Sequence, residues 1–463
     1  MPAIITKDFR VHNAKQFEES FGETADTYYL AIGRPQAFAD NQAFNDGTDA
    51  SPPTPVDSVG SVEYYAYDDF LSAKKITSSD VSLVIPRRNW TTGTTYDYYR
   101  HDYGDINSAG SVISANSGAT SLYDATFYVM NSTFDVYKVI DNNGDSASTV
   151  EPSGNKSTSV FSTGDSYKWK YMYSLSASEQ ANFLSTDFMH VSTESSDFST
   201  TGGAIEHVKI TAGGSGGTNG TYTDVDIRGD GSSGKATIVV ASNAVSSVTI
   251  TTAGSGYTYA SVKASDFGSV SGADIDFIIS PPGGHAADVV TELGGFFVMT
   301  NVDLTQADGS GDFSTGNDFR RIALLRNPTD STTGSTASAT TLDATKSITF
   351  SGTPGSFQAD EKITQATTGA VGFVVDFNST TKVLRYVQPQ FADQGVDSDG
   401  NLTAFASTHT VTGATSSATG TPSSHDTTPE LTHDTGDILY IENRKPISRA
   451  ADQTENVKLI VEF

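Results

Sequence analysis

The chain contains no cysteine. That absence excludes a disulfide framework, a thiolate-ligated zinc site and a cysteine nucleophile, and it suits synthesis in a reducing cytoplasm. Long apolar runs are missing too. No stretch approaches about 18 consecutive apolar residues, so no transmembrane helix and no membrane insertion are expected. Met1 to Arg10 lack an apolar core segment, so no secretory signal is expected there. Positive charge is scarce, with 28 Lys and Arg against 55 Asp and Glu, a formal net charge of −27. A nucleic-acid binder needs a positive footprint, so DNA and RNA are disfavoured as partners. The acidity instead keeps the surface soluble and steers basic partners. Hydrophobic residues make up only 36% of the chain and charged residues 18%, which argues against a helical bundle built on Ala, Leu, Glu and Lys.

Gly, Ser, Thr, Asp and Asn fill the gap, together with 20 Tyr and 25 Phe, too many aromatics for a disordered chain. A length of 463 residues suggests about three domains. The reading is a β-rich globular protein with many turns. Asn13 to Phe21 predicts a helix capped by Asn13, with Phe17 and Phe21 on one face. Thr27 to Gly33 and Val81 to Ile85 read as strands, the latter stopped by Pro86. Tyr64, Tyr65, Tyr67, Phe70 and Leu71 read as an aromatic helical segment. Tyr123 to Asp141 reads as two short strands around Asn131-Ser132. In the next stretch Tyr167, Trp169, Tyr171 and Tyr173 alternate with Lys168, Lys170 and Met172, which places four rings on one sheet face as a core strand or a ligand-stacking platform.

Composition shifts twice. From Thr200 the chain is rich in Gly, Ser and Thr, and Val208 to Gly216 is echoed about 40 residues later by Val248 to Tyr257, each copy pairing a strand with a Gly-rich turn. A second shift near Thr329 opens a low-complexity linker, then strands through Ile363, Phe373 to Val375 and Val383 to Val387, then another linker over Ser416 to Thr428. The expected organisation is a core over 1–199, a β insert over 200–285, core again over 286–330, a second β insert with low-complexity linkers over 331–428, and C-terminal core strands over 429–463. In that last part Asp437 to Asn443 reads as a strand broken by Lys445-Pro446, and Val457 to Phe463 as a strand that docks into a sheet.

Catalytic patterns are absent from the sequence. There is no Walker A string and no His-Glu-x-x-His, and Gly254-Ser255-Gly256 lies between weak strands rather than before a helix. The eight histidines are scattered and suggest no metal site. Asp141 to Asp145 and Asp397 to Asn401 resemble the opening of a calcium loop, but Pro152 and Thr408 stand where its closing glutamate belongs, so turns are the first reading and calcium sites the alternative. No enzyme activity and no cofactor are expected. Two basic clusters stand out against the acid background: Ile85-Pro86-Arg87-Arg88-Asn89-Trp90 and Phe319-Arg320-Arg321-Ile322. Paired arginines suit bidentate carboxylate contacts, at interfaces or with the protein's own acids.

The segment Ile85 to Trp90 resembles an Ile-Pro-Arg-Arg-Asp-Trp sequence in the baseplate wedge proteins of contractile-tailed bacteriophages (myoviruses), the family of the eighth gene product of the type phage; Asn89 stands where that family has Asp. Ile438 to Ile447 and Asp452 to Phe463 are similar to the family's C-terminus. Phe319 to Ile322 with Asn327-Pro328, Asp165 to Tyr171, and Lys7 to Arg10 with Phe17 and Gly33-Arg34 also resemble family segments, in the same order. The resemblance implies a mainly β fold, a layered β-sandwich core with short helical excursions, to which the two compositional shifts add two small all-β inserted domains; it implies a structural subunit located in the tail baseplate of the virion, homodimeric and in contact with other wedge proteins. Arg87, Arg88, Trp90, Arg320, Arg321 and Arg444 are the interface or scaffold candidates. The alternative is a glycan-binding or glycan-degrading tail protein, whose paired carboxylates sequence spacing cannot locate in a β fold.

Overall fold

The computed structural model describes residues 5–38, 47–55, 66–107, 110–154, 156, 159–193, 201–304, 316–389, 395–399, 401–448 and 455–463. Met1, Tyr64, Tyr65, Thr200, Gly400 and Asp452 to Thr454, which figure in the sequence readings, lie outside the described residues. The fold is mainly β with short helices, as the composition implies. It divides into two compact units: Met1–Gln16, Ser82–Met299 and Ile460–Phe463 in the first, Phe17–Val81 and Thr300–Leu459 in the second.

The first unit holds an antiparallel sheet of Tyr128–Met130, Asp135–Asp141, Lys168–Ser174 and Phe161–Ser162. Trp169 stacks on Tyr167 with ring centres 5.4 Å apart, and Tyr171 meets Tyr137 edge-on at 5.7 Å. All four alternating rings are buried, so they are core and offer no stacking platform to a ligand. The opposite face is buried as well, through Lys170 and Met172. Residues 205–279 of this unit form further strands around a core of Ile205, Val225, Ile238, Tyr257, Phe267 and Phe277. Within them Lys235–Ala241 and Ala244–Thr252 join through Ser242-Asn243, both at positive φ, the backbone that a two-residue hairpin requires. The 40-residue echo is only partial. Its first glycines continue the strand Ile205–Ser215, while Gly254 and Gly256 of the second lie beyond the strand Ala244–Thr252 at positive φ.

The second unit holds a five-stranded sheet in the order Thr341–Asp343, Phe70–Ile76, Tyr28–Gly33, Asp318–Arg326, Asp437–Ser448. Every residue of the central strand Tyr28–Gly33 is buried, which accounts for its unbroken apolar reading. At Gly33 the register shifts, and a Cβ there would lie 2.7 Å from the Asp69 carbonyl oxygen, so only glycine fits. Strands between Lys346 and Asp426 close into a six-stranded barrel around Ile348, Phe350, Ile363, Val374, Leu384 and Tyr386.

Several local expectations are corrected. The first helix spans Lys7–Ser20, with Asn13 in its middle. The Thr6 hydroxyl accepts the Phe9 N–H at 3.4 Å, the capping role assigned to Asn13. Among the described part of the aromatic segment, only Tyr67–Asp69 is a short 3-10 turn, and Phe70 and Leu71 begin a strand. Thr341–Asp343, read as the margin of a linker, pairs with Phe70–Ile76 instead. Within Ser416 to Thr428, Thr419–Asp426 is the strand that closes the barrel. Lys445-Pro446 does not end its strand, which runs to Ser448. It occupies the sheet's edge, and Pro446 falls where the register with Phe319 and Arg321 shifts, so no ladder donor is lost.

Candidate functional site

In the first unit, the strand Val81–Pro86 delivers the basic cluster to the end of the strand Phe188–His190. Arg87 donates to the Ser185 carbonyl (2.8 Å) and to Asn89 Oδ1 (3.1 Å). Arg88 donates to the carbonyls of Ala125 and Tyr123, and its guanidinium lies 4.5 Å from the Tyr128 ring centre. Trp90 Nε1 donates to Ser148 Oγ at 3.0 Å. The three side chains thus tie one strand end to three loops, and the two arginines satisfy carbonyls that sheet pairing leaves open.

In the second unit, the strand Asp318–Arg326 carries the other pair in opposite directions. Arg320 grips both carboxylate oxygens of Asp49 (2.9 and 3.0 Å), and it also donates to Asp318 Oδ2 and the Pro35 carbonyl. Arg321 donates to Asp69 Oδ1 at 2.5 Å and to Asn443 Oδ1 at 3.1 Å. Asp69 has no solvent exposure, and it also accepts from Gln36 Nε2 at 3.3 Å. Burial pushes its carboxyl up, against the pull of Arg321 and Arg34. Arg444 differs from the other five: its side chain is 48% exposed and lies 3.6 Å from Glu442.

Sequence reasoning did not find a buried ionic cluster in the first unit. Lys138, fully buried, donates to Glu292 Oε2 and lies 4.5 Å from the Tyr99 ring centre, while His285 meets that ring edge-on at 5.1 Å. Lys170 is the cross-strand neighbour of Lys138. Burial raises the Glu292 carboxyl against Lys138, and burial with both lysines holds His285 well below its ordinary value. The available signal was lysine at positions inside otherwise apolar strands, in Val136 to Ile140 and Trp169 to Tyr173.

The acidic loops behave as turns. Asp141 Oδ1 accepts the Asn143 N–H (3.0 Å) and its Oδ2 pairs with Lys168 (3.1 Å), and Asp397 Oδ1 accepts the N–H groups of Asp399 and Asn401. Among the described residues no group of three or more His, Asp or Glu is arranged to hold a metal, and no helix is long and apolar enough to cross a membrane. Asp360 is a further titratable group. Burial beside Asp318 raises its carboxyl to about 6, while it accepts the Asp318 N–H at 3.1 Å. A raised acid binds its proton in the native state first, so its contribution to stability falls as pH rises from about 4 to 6 and stays lost above that window. Asp360→Asn keeps the acceptor and tolerates the φ of 63° at this position. Discounted for partial exposure, it is expected to stabilise the protein by about 1 kcal/mol at pH 7.5 and by almost nothing at pH 4. Urea midpoints at the two pH values measure this.

The chain was compared with known proteins. Residues 3–149 match the model of the phage Gp8 family, described as bacteriophage T4, Gp8. The matched segment contains Ile85 to Trp90, while Phe319 to Ile322 and Ile438 to Ile447 lie beyond it. No curated protein matches the chain. The match gives no support to the glycan-degrading alternative. Over its first third the chain is therefore similar to a baseplate wedge protein, the resemblance read from its own arginine motif, and that likeness supports a structural subunit of the phage tail baseplate.

Proposed function

We propose that this protein is a structural subunit of the baseplate wedge, made in the host cytoplasm and built into the virion, working as a homodimer and through contact with other wedge proteins without catalysing a reaction. The observation that carries the reading is the family match over residues 3–149, which includes a motif whose arginines are engaged in the chain's own loops. Arg87, Arg88, Trp90, Arg320 and Arg321 are assigned a scaffold role, because each is spent on partners within its own unit. Arg444 is assigned to an interface, because it is exposed on a sheet edge.

The segments 200–285 and 331–428 are read as this chain's own additions, without a counterpart in the family. Each contains strands with an apolar cluster of its own, as a module attached through surface loops has. They are proposed to decorate the periphery of the baseplate. Immunogold labelling of intact particles with an antibody to this chain tests the assignment. Gold at the tail tip is expected. Label on the capsid alone, or none on intact particles, counts against it.

A further inference from the structure

The strand Asp437–Ser448 is the last of its sheet, and among the described residues only its Asp318–Arg326 side is paired. Such an edge presents unpaired N–H and C=O groups and is a template for another strand. It carries two of the chain's exposed large apolar side chains, Leu439 (45% exposed) and Tyr440 (37%). Next to them lies an ordered charge pattern: Glu442, then Asn443, then Arg444, with the two charged side chains 3.6 Å apart and half-exposed.

We propose that this edge pairs antiparallel with the same edge of a second copy of the chain, about a two-fold axis at Asn443. The proposal rests on the homodimer reading above and names its surface. A two-fold contact must be self-complementary, so each residue is matched against one at equal distance on the other side of the axis. Centring on Asn443 sets Glu442 of each copy opposite Arg444 of the other, giving two symmetry-related ion pairs across the seam. The apolar Leu439 and Tyr440 then lie toward the partner's Pro446 and Ile447, beyond the register shifts that the strand carries on either side of Asn443. Centring on Tyr440 instead sets Glu442 opposite Ile438 and places Arg444 beyond any acid partner, so the charge pattern selects the first register. Lys445 and Pro446 guard the edge against indiscriminate strand addition, which leaves the matched charges to choose the partner.

Two charge reversals test this on the full chain. Glu442→Arg and Arg444→Glu each put like charges across the seam, and each alone is expected to weaken the dimer at least tenfold in sedimentation velocity while the far-UV circular dichroism stays that of wild type. Mixed in equal amounts, the two variants meet with opposite charges at both positions across the seam, while neither has an ion pair within its own chain. The mixture is expected to recover dimer, as a heterodimer when one variant carries a mass tag read by native mass spectrometry. Wild-type protein that sediments as a monomer overturns both this inference and the homodimer reading. A wild-type dimer that persists in each single variant overturns the edge and leaves the homodimer standing. Loss in the single variants without recovery on mixing also overturns it, since the charges then act within one chain.

Discussion

Asp69→Ala is expected to lower stability by about 3–5 kcal/mol, the usual cost of removing one partner of a buried ion pair. The substitution strips Arg321 of a carboxylate 2.5 Å away and leaves a guanidinium that is itself nearly buried. Gln36 loses its acceptor in the same step. A circular set of dependencies explains the size of the effect. Asp69 ends a short 3-10 turn, precedes the strand Phe70–Ile76, and its carbonyl accepts the Arg34 N–H. Burial already disfavours its charged form, so the ion pair persists only because Arg321 and Arg34 offset that penalty. The denaturant midpoint measures the loss. The double variant Asp69→Leu with Arg321→Met removes both charges and is expected to cost less than Asp69→Ala alone, because no charge is then left stranded. A double variant that costs the sum of the two singles would contradict this account of the pair.

Lys138→Met carries the second large effect. The thioether side chain matches the lysine stem in shape, so the loss isolates the ammonium. Glu292, almost fully buried, then keeps its carboxyl without the cation that now partly offsets burial. At high pH the expected cost is about 3–5 kcal/mol. It shrinks on acidification, because a neutral Glu292 needs no counter-charge. The sign follows from linkage: a carboxyl raised further in the native state binds its proton before the unfolded chain does, so stability falls as pH rises through the native value. Lys138→Met is therefore expected to be more pH-dependent than wild type above the ordinary glutamate range, with the largest deficit at alkaline pH. His285 acts in the opposite direction in the same cluster. Its native-state value is depressed, so its contribution is complete above about pH 6.5 and is lost as pH falls below that. Thermal melts of wild type and variant from pH 5 to 9 separate the two.

What the sequence disclosed follows from the range of the forces involved. Strands buried on both faces announce themselves as unbroken apolar runs, as Tyr28–Gly33 and Val81–Pro86 do. The start of the helix Lys7–Ser20 was hidden because its first turns bury only Val11 and Ala14 and leave Phe9 exposed, too small a face to show as a periodicity. Thr419–Asp426 read as a linker because its inward positions are Gly420 and Pro422. Gly420 is small because the Phe350 ring fills the barrel beside it, and a Cβ there would fall 2.6 Å from that ring. The composition there records a packing partner some 70 residues earlier in the chain, which no local window contains.

The candidate residues show the same limit. The arginine pairs were visible as basic islands in an acidic chain, but their partners were not. Asp49 and Asp69 lie 271 and 252 residues from the arginines they bind. With 55 acids available, spacing alone had no means of choosing between an internal carboxylate and a partner's. The Lys138–Glu292 pair likewise spans 154 residues. Arg444 kept its exposed position, and its neighbour Glu442 became informative only once both were placed on a sheet edge.

The central claim is that this chain is a building part of the baseplate, with its arginine motifs turned inward to hold it rigid. Infection of the host by a phage carrying a stop codon early in this gene measures that claim directly. Electron microscopy of the lysate is expected to show heads without complete tailed particles, with complete baseplates restored when the wild-type chain is supplied in trans. Complete particles with normal baseplates in the absence of the chain would contradict it.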